Sequence, residues 1–178
     1  MAADATFEQF IKDCNALLSK GKFTEVAELC DRQLKKDESS AVWRLKGIAL
    51  QEIGKNTEAI TCFENALRLG KNDADNYYAY GILMLNSREY ESALFLFGIA
   101  NAFKPNADTL FIIGITDLML EKEEDAALAL RQAVAIDKER TTSLAREFFD
   151  KYYKNNKGIP DKDKMALKAQ IERLTRSL

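Results

Sequence analysis

Histidine is absent from the 178 residues. That absence removes Ser-His and Cys-His catalysis and every imidazole-ligated metal site from consideration. Proline and glycine are scarce, at 2 and 8 residues, which disfavours a turn-rich β fold and leaves room for long helices. Only three cysteines occur, and Cys14, Cys30 and Cys62 are too few and too widely spaced for a disulfide framework or a metal site. Reduced thiols packed as small hydrophobes are expected instead. A surplus of one charge is missing too: 26 Lys and Arg face 28 Asp and Glu. A net charge of -2 offers no overall field to attract phosphate backbones or anionic lipid. No stretch reaches the ~18 uninterrupted apolar residues of a membrane span. The nearest, Leu110 to Leu120, is broken by Thr116 and Asp117, so membrane insertion is not expected. The opening residues show no basic start followed by an apolar run, so a cytoplasmic location is expected. No glycine loop suited to cradling phosphate is visible, and no cofactor is expected.

What is present is repetition. Gly47, Ala59, Phe63 and Ala66 recur 34 residues later as Gly81, Ala93, Phe97 and Ala100, and 33 residues after that as Gly114, Ala126, Leu130 and Ala133. In each set the last three fall at i, i+4 and i+7, one face of a helix, with the glycine on the preceding helix. Small residues at such points let two helices approach closely, and the Phe or Leu fills the space beside them. Trp43, Tyr77 and Leu110 open the three sets. A weaker copy starts near Phe7 with Phe10, Cys14, Leu17, Val26 and Cys30, where Gln33 replaces the expected small Ala. Polar turns at Ser19 to Lys22, Gly54 to Thr57, Asn86 to Glu89 and Glu121 to Glu124 separate paired helices. Ser39, Asp73 and Asn106 are expected helix caps.

The pattern predicts an all-α chain forming one domain, 1–178, with repeats at about 7–39, 40–73, 74–106 and 107–140 and capping helices over 141–178. Thr141 onward holds Leu144, Ala145, Phe148, Phe149 and Tyr152 at helical spacing, then Gly158-Ile159-Pro160 as a stop. A last helix follows, striped by Leu167, Ile171, Leu174 and Leu178. A stacked array leaves its final hydrophobic face open unless something covers it, so these two helices are expected to cap it. A fifth hairpin with a lengthened turn and an exchange between chains are the alternatives.

Trp43, Gly47, Leu50, Ala59, Phe63 and Ala66, then Tyr77, Tyr80, Gly81, Met84, Ala93, Phe97, Ala100 and Pro105, resemble the tetratricopeptide repeat family. The resemblance covers residues 7 to about 140. Asp117 departs from it where a large apolar residue is usual. The resemblance implies an α-α superhelix, or solenoid, of antiparallel hairpins that binds a peptide or amphipathic helix in a concave groove lined by the first helix of each repeat. That geometry places Ile11, Asn15 and Leu18, then Arg44, Ile48 and Gln51, then Tyr78, Ile82 and Leu85, then Phe111, Ile115 and Leu118 in a groove that becomes apolar toward the C-terminus, where the alternative is that the C-terminal helices fill it. One subset of the family grips chaperone tails through cations and Asn; the matching positions here are Ile11, Asn15, Leu45, Asp75 and Ala79. Only Asn15 fits, so that clamp is not expected.

Three functional readings follow. The first is a non-enzymatic adaptor or co-chaperone that holds a partner segment in the groove, with a narrower version suggested by a resemblance in size and layout to type III secretion chaperones for translocators. The second is a self-associating subunit, a homodimer or part of a larger complex, that uses an outer stripe of Phe95, Ile99 and Phe103. The third is RNA contact through Lys151-Tyr152-Tyr153-Lys154-Asn155-Asn156-Lys157, although Asp150 and Asp161 flank it and nucleic acid is not the expected partner. Glu123, Glu124 and Asp125 suit a helix start better than acid-base chemistry.

Overall fold

The 33- and 34-residue spacing is written into the backbone of the computed structural model, which describes residues 2–154, with side chains from residue 6 to residue 151, and the single positions 162, 165 and 169. Second helices begin at residues 23, 56, 90 and 123, and first helices at 40, 74 and 107. Each turn between paired helices contains one residue in the left-handed region, at Gly21, Gly54, Arg88 and Glu121. Glycine adopts that conformation without steric cost; Arg88 and Glu121 hold it against their own Cβ atoms.

The described residues form α1 (Ala2–Ser19), α2 (Phe23–Leu34), α3 (Ser40–Glu52), α4 (Asn56–Leu69), α5 (Ala74–Asn86), α6 (Tyr90–Phe103), α7 (Ala107–Met119), α8 (Glu123–Ile136) and α9 (Lys138–Phe148). The chain then continues as a π-helical turn, Phe149–Lys154. No strand occurs among the described residues. The expected last helix, with Leu167, Ile171, Leu174 and Leu178, and its stop at Gly158-Ile159-Pro160 lie outside the described residues.

The chain divides into two compact units, Met1–Arg88 and Glu89–Leu178. The division falls inside the stretch 74–106 that the sequence pattern groups together.

In the first unit α3 packs along α4, α2 against α3, and α4 against α5. Gly47 makes the α3/α4 approach close enough that a Cβ there would stand 2.8 Å from Phe63 Cε1. Phe63 is fully buried and stacks on Tyr80, ring centroids 5.6 Å apart. Cys14 and Cys30 lie in a cluster with Val26, Val42 and Leu45, while Cys62 joins Leu50, Ala59 and Phe63. All three thiols are free and buried, as the sequence suggested. Burial pushes each of them up from the usual thiol range.

In the second unit α7 packs along α8, and α6 lies against α7. Here Gly114 and Leu130 do what Gly47 and Phe63 do: a Cβ at Gly114 would meet Leu130 Cγ at 2.7 Å. The helix expected from Thr141 begins three residues earlier. Asp137 caps it, its side chain accepting from the Arg140 N–H, and the fully buried Thr141 donates its hydroxyl to the Asp137 carbonyl at 2.7 Å. Asp73 and Asn106 cap α5 and α7 in the same way, whereas Ser39 occupies the cap position of α3 without a capping side-chain bond. Glu123, Glu124 and Asp125 form the first turn of α8, where the helix dipole favours them.

Candidate partner-binding surfaces

In the first unit α1, α3 and α5 touch in sequence, α1 with α3 and α3 with α5, so the first helices lie side by side. Of the expected groove residues on them, Asn15 is exposed, while Ile11, Leu18, Ile48, Gln51, Tyr78, Ile82 and Leu85 are half-buried. Ile11 and Leu18 lean on the Cys14–Val26–Leu45 cluster and Ile48 on the Leu50–Phe63 cluster, leaving part of each side chain accessible. Half-buried apolar side chains between polar ones are what an anchor residue from a partner can pack against.

Arg44, expected on the same face, is half-buried and held by the start of the next repeat. Its Nη1 donates to Asp73 Oδ2 at 2.7 Å and to Asn76 Oδ1 at 2.8 Å, tying α3 to the start of α5. Asn76 is fully buried and donates its Nδ2 to the carbonyls of Ala66 and Gly70, both at 3.1 Å. Each of these carbonyls also accepts a backbone N–H, from Gly70 and Asp73 respectively, so the amide adds a second bond to each and ties the end of α4 to α5. A Cβ at Gly70 would stand 2.7 Å from that Nδ2, so the amide needs the glycine. Of the positions matching the chaperone-tail clamp, Leu45 and Ala79 are buried packing residues and Asp75 carries a negative charge near Arg44.

The second unit treats its first helix differently. Phe111 and Ile115, expected on a groove wall, are 3% and 1% exposed and belong to a core with Leu130, Ala133 and Ala145. The cover is α9, which lies on both α7 and α8. Phe148 of α9 meets Phe111 edge-on at 6.2 Å, and Arg140 holds Asp108 of α7 with a bidentate pair, Nε reaching both carboxylate oxygens at 3.1 Å. Leu118 is half-buried against the same core. In this unit these apolar residues serve packing, which matches the alternative in which the C-terminal helices cover this end of the first-helix face.

Asp117, the departure from the repeat pattern, is 4% exposed at the end of α7. Burial pushes its carboxyl above the usual carboxylate range; Asp125 adds to the effect and Lys122 opposes it. Its backbone carbonyl accepts from the N–H groups of Leu120 and Lys122.

The outer stripe of α6 is accessible in part: Phe95 is 69% and Phe103 46% exposed, with Ile99 half-buried. On α8 of the same unit Leu128 and Ile136 are also exposed, a feature the sequence reading missed. They stand eight residues apart, a spacing that signals one helix face. Of the basic-aromatic segment, Lys151 is exposed and Asn155-Asn156-Lys157 lies outside the described residues. Among the described residues no group of three or more carboxylates or thiols is placed to hold a metal ion, and no helix is long and apolar enough to cross a membrane.

Antiparallel helical hairpins whose helices start every 33 or 34 residues, with a glycine facing a large residue in α3/α4 and in α7/α8, define the class of helical-repeat proteins. Within that class, the chain has the tetratricopeptide-repeat fold, as Trp43, Gly47, Phe63 and their counterparts implied. It is similar to PilF of Pseudomonas aeruginosa, with a TM-score of 0.74 and 19% identity over 96% of this chain and 78% of that one. MamA from Desulfovibrio magneticus RS-1 superposes with a TM-score of 0.64 and 20% identity, covering 96% and 95% of the two chains. YrrB, described as a TPR protein with an unusual peptide-binding site, gives 0.63 and 21% identity over 78% and 72%. Among curated proteins, the BBSome complex member BBS4 of Bos taurus is 29% identical over 102 residues, 57% of this chain and 20% of that protein. The chain thus spans about a fifth of the length of the curated relative it matches. No protein-family model matches the sequence.

Proposed function

We propose that the chain is a non-enzymatic scaffold that holds a segment of a partner polypeptide along α1, α3 and α5. The observation that carries this reading is the row of partly accessible side chains on three adjacent first helices, Ile11, Asn15, Ile48, Gln51, Ile82 and Leu85. The peptide-binding site named for YrrB supports it by fold similarity. The occupant is an extended or helical segment with apolar anchors, its register set by Asn15 and Gln51. Capture of a client by the wild-type chain, lost in Ile82→Glu/Leu85→Glu with the helical circular dichroism unchanged, is the expected result. Equal capture by a folded double variant would refute groove binding.

A second reading rests on the exposed apolar residues of α6 and α8, Phe95 and Leu128 above all, which suit contact with a second copy. Sedimentation across concentration separates the two: self-association that Phe95→Ser/Leu128→Ser abolishes supports the second reading, and a monomer at every concentration excludes it.

A further inference from the structure

Outside the first-helix face, the first hairpin carries a pocket of its own. It is open, about 400 Å³ in volume, and lined by Phe10 of α1 and by Leu29, Arg32, Gln33, Lys35 and Lys36 at the end of α2. Its origin is legible in the repeat. Gln33 occupies the place that Ala66, Ala100 and Ala133 fill in the other second helices, where all three are buried. A small residue lets paired helices close on each other; the longer Gln33 is half-buried and forms part of the pocket wall. Phe10, stacked on Phe7 with centroids 6.2 Å apart, and Leu29 supply the apolar floor.

The rim is cationic. Arg32, Lys35 and Lys36 are exposed, and among the described residues none of them forms an ion pair. Elsewhere in the unit Lys22, Lys46, Lys55 and Arg68 each hold a carboxylate. The negative end of the α2 dipole accounts for a base or two in this place. It does not account for an apolar pocket with three unpaired cations around it in a chain whose net charge is -2.

We propose that this pocket is a second docking site, for an acidic polypeptide segment that inserts one large apolar side chain between Phe10 and Leu29 while its carboxylates meet Arg32, Lys35 and Lys36. The charge pattern selects the occupant: an apolar floor gives nothing to a phosphodiester backbone, and a pocket of this size takes a side chain, whereas a lipid surface needs a broad apolar face. The site is separate from the α1–α3–α5 face and stands or falls without it.

The test uses the full chain and a fluorescein-labelled peptide with one phenylalanine among aspartates and glutamates, read by fluorescence anisotropy. Saturable binding is expected, weakening with added salt and falling about tenfold or more in Arg32→Glu/Lys36→Glu, while Ile82→Glu/Leu85→Glu binds as the wild type does. The exchanged side chains are exposed, so circular dichroism should not change. Equal affinity in the charge-reversed variant would overturn the proposal, as would equal affinity for a peptide with asparagine and glutamine in place of the acids. Preference for polyuridylate or for phosphatidylserine vesicles over the acidic peptide would overturn it as well.

Discussion

The hairpins α3/α4 and α7/α8 use one packing device and reach different surfaces. In both, a glycine on the first helix brings its backbone against a fully buried large residue on the second, Phe63 in one and Leu130 in the other. On α3 the neighbouring Ile48 stays half-accessible beside α5. On α7 the corresponding residues Phe111 and Ile115 disappear under α9. Repetition of the hairpin therefore specifies how two helices pair, and the next element along the chain decides whether the first helix offers a face to a partner.

Removing the large residue should have the greatest effect. Phe63→Ala empties the α3/α4 crossing and should cost about 3–5 kcal/mol in chemical denaturation, whereas Phe63→Leu, which copies the α7/α8 crossing, should cost less than about 1.5 kcal/mol. Equal losses would mean that the two crossings are not variants of one device. Next comes the buried amide that the first unit uses to join α4 to α5. Asn76→Ala removes one of two bonds to each of the Ala66 and Gly70 carbonyls and leaves Arg44 with Asp73, so it should cost about 1–2 kcal/mol by the same measurement.

Smaller effects separate the turn and the end of α7. Because the folded-state pKa of Asp117 is raised, the folded state binds its proton more tightly than the unfolded chain does. The associated stability is complete below the unfolded carboxylate value and is lost as pH rises through the folded one. Asp117→Asn should therefore be more stable than the wild type at neutral pH and flatten that part of the stability profile, as followed by thermal melts from acid to neutral. Glu121→Gly should gain about 0.5–1 kcal/mol, because Glu121 stands at φ 60 where the first unit has Gly21 and Gly54. The same exchange at Gly54's neighbour Lys55, at φ -88, should bring no such gain.

The hairpins, the Gly47–Phe63 and Gly114–Leu130 crossings, the buried thiols and the caps at Asp73 and Asn106 were legible in the sequence, because each rests on spacing within one or two helices. Arg44 shows where spacing stops. Its position puts it on a first-helix face, but its partners Asp73 and Asn76 come from the following repeat, and charge complementarity over 29 and 32 residues has no periodic signature. Phe111 and Ile115 meet a related limit. An apolar first-helix face reads the same whether a partner or α9 covers it, and Phe148 was visible only as an apolar residue of a further helix. The exposed Leu128 and Ile136 passed for ordinary helix positions amid the alanines of α8.

Site-specific photo-crosslinking tests the central claim most directly. With benzoylphenylalanine placed singly at Gln51, Ile82, Phe95 and Leu128 of the full chain, the account predicts adducts with a partner polypeptide from Gln51 and Ile82, on neighbouring first helices. Adducts confined to Phe95 and Leu128, with none from Gln51 or Ile82, would contradict it.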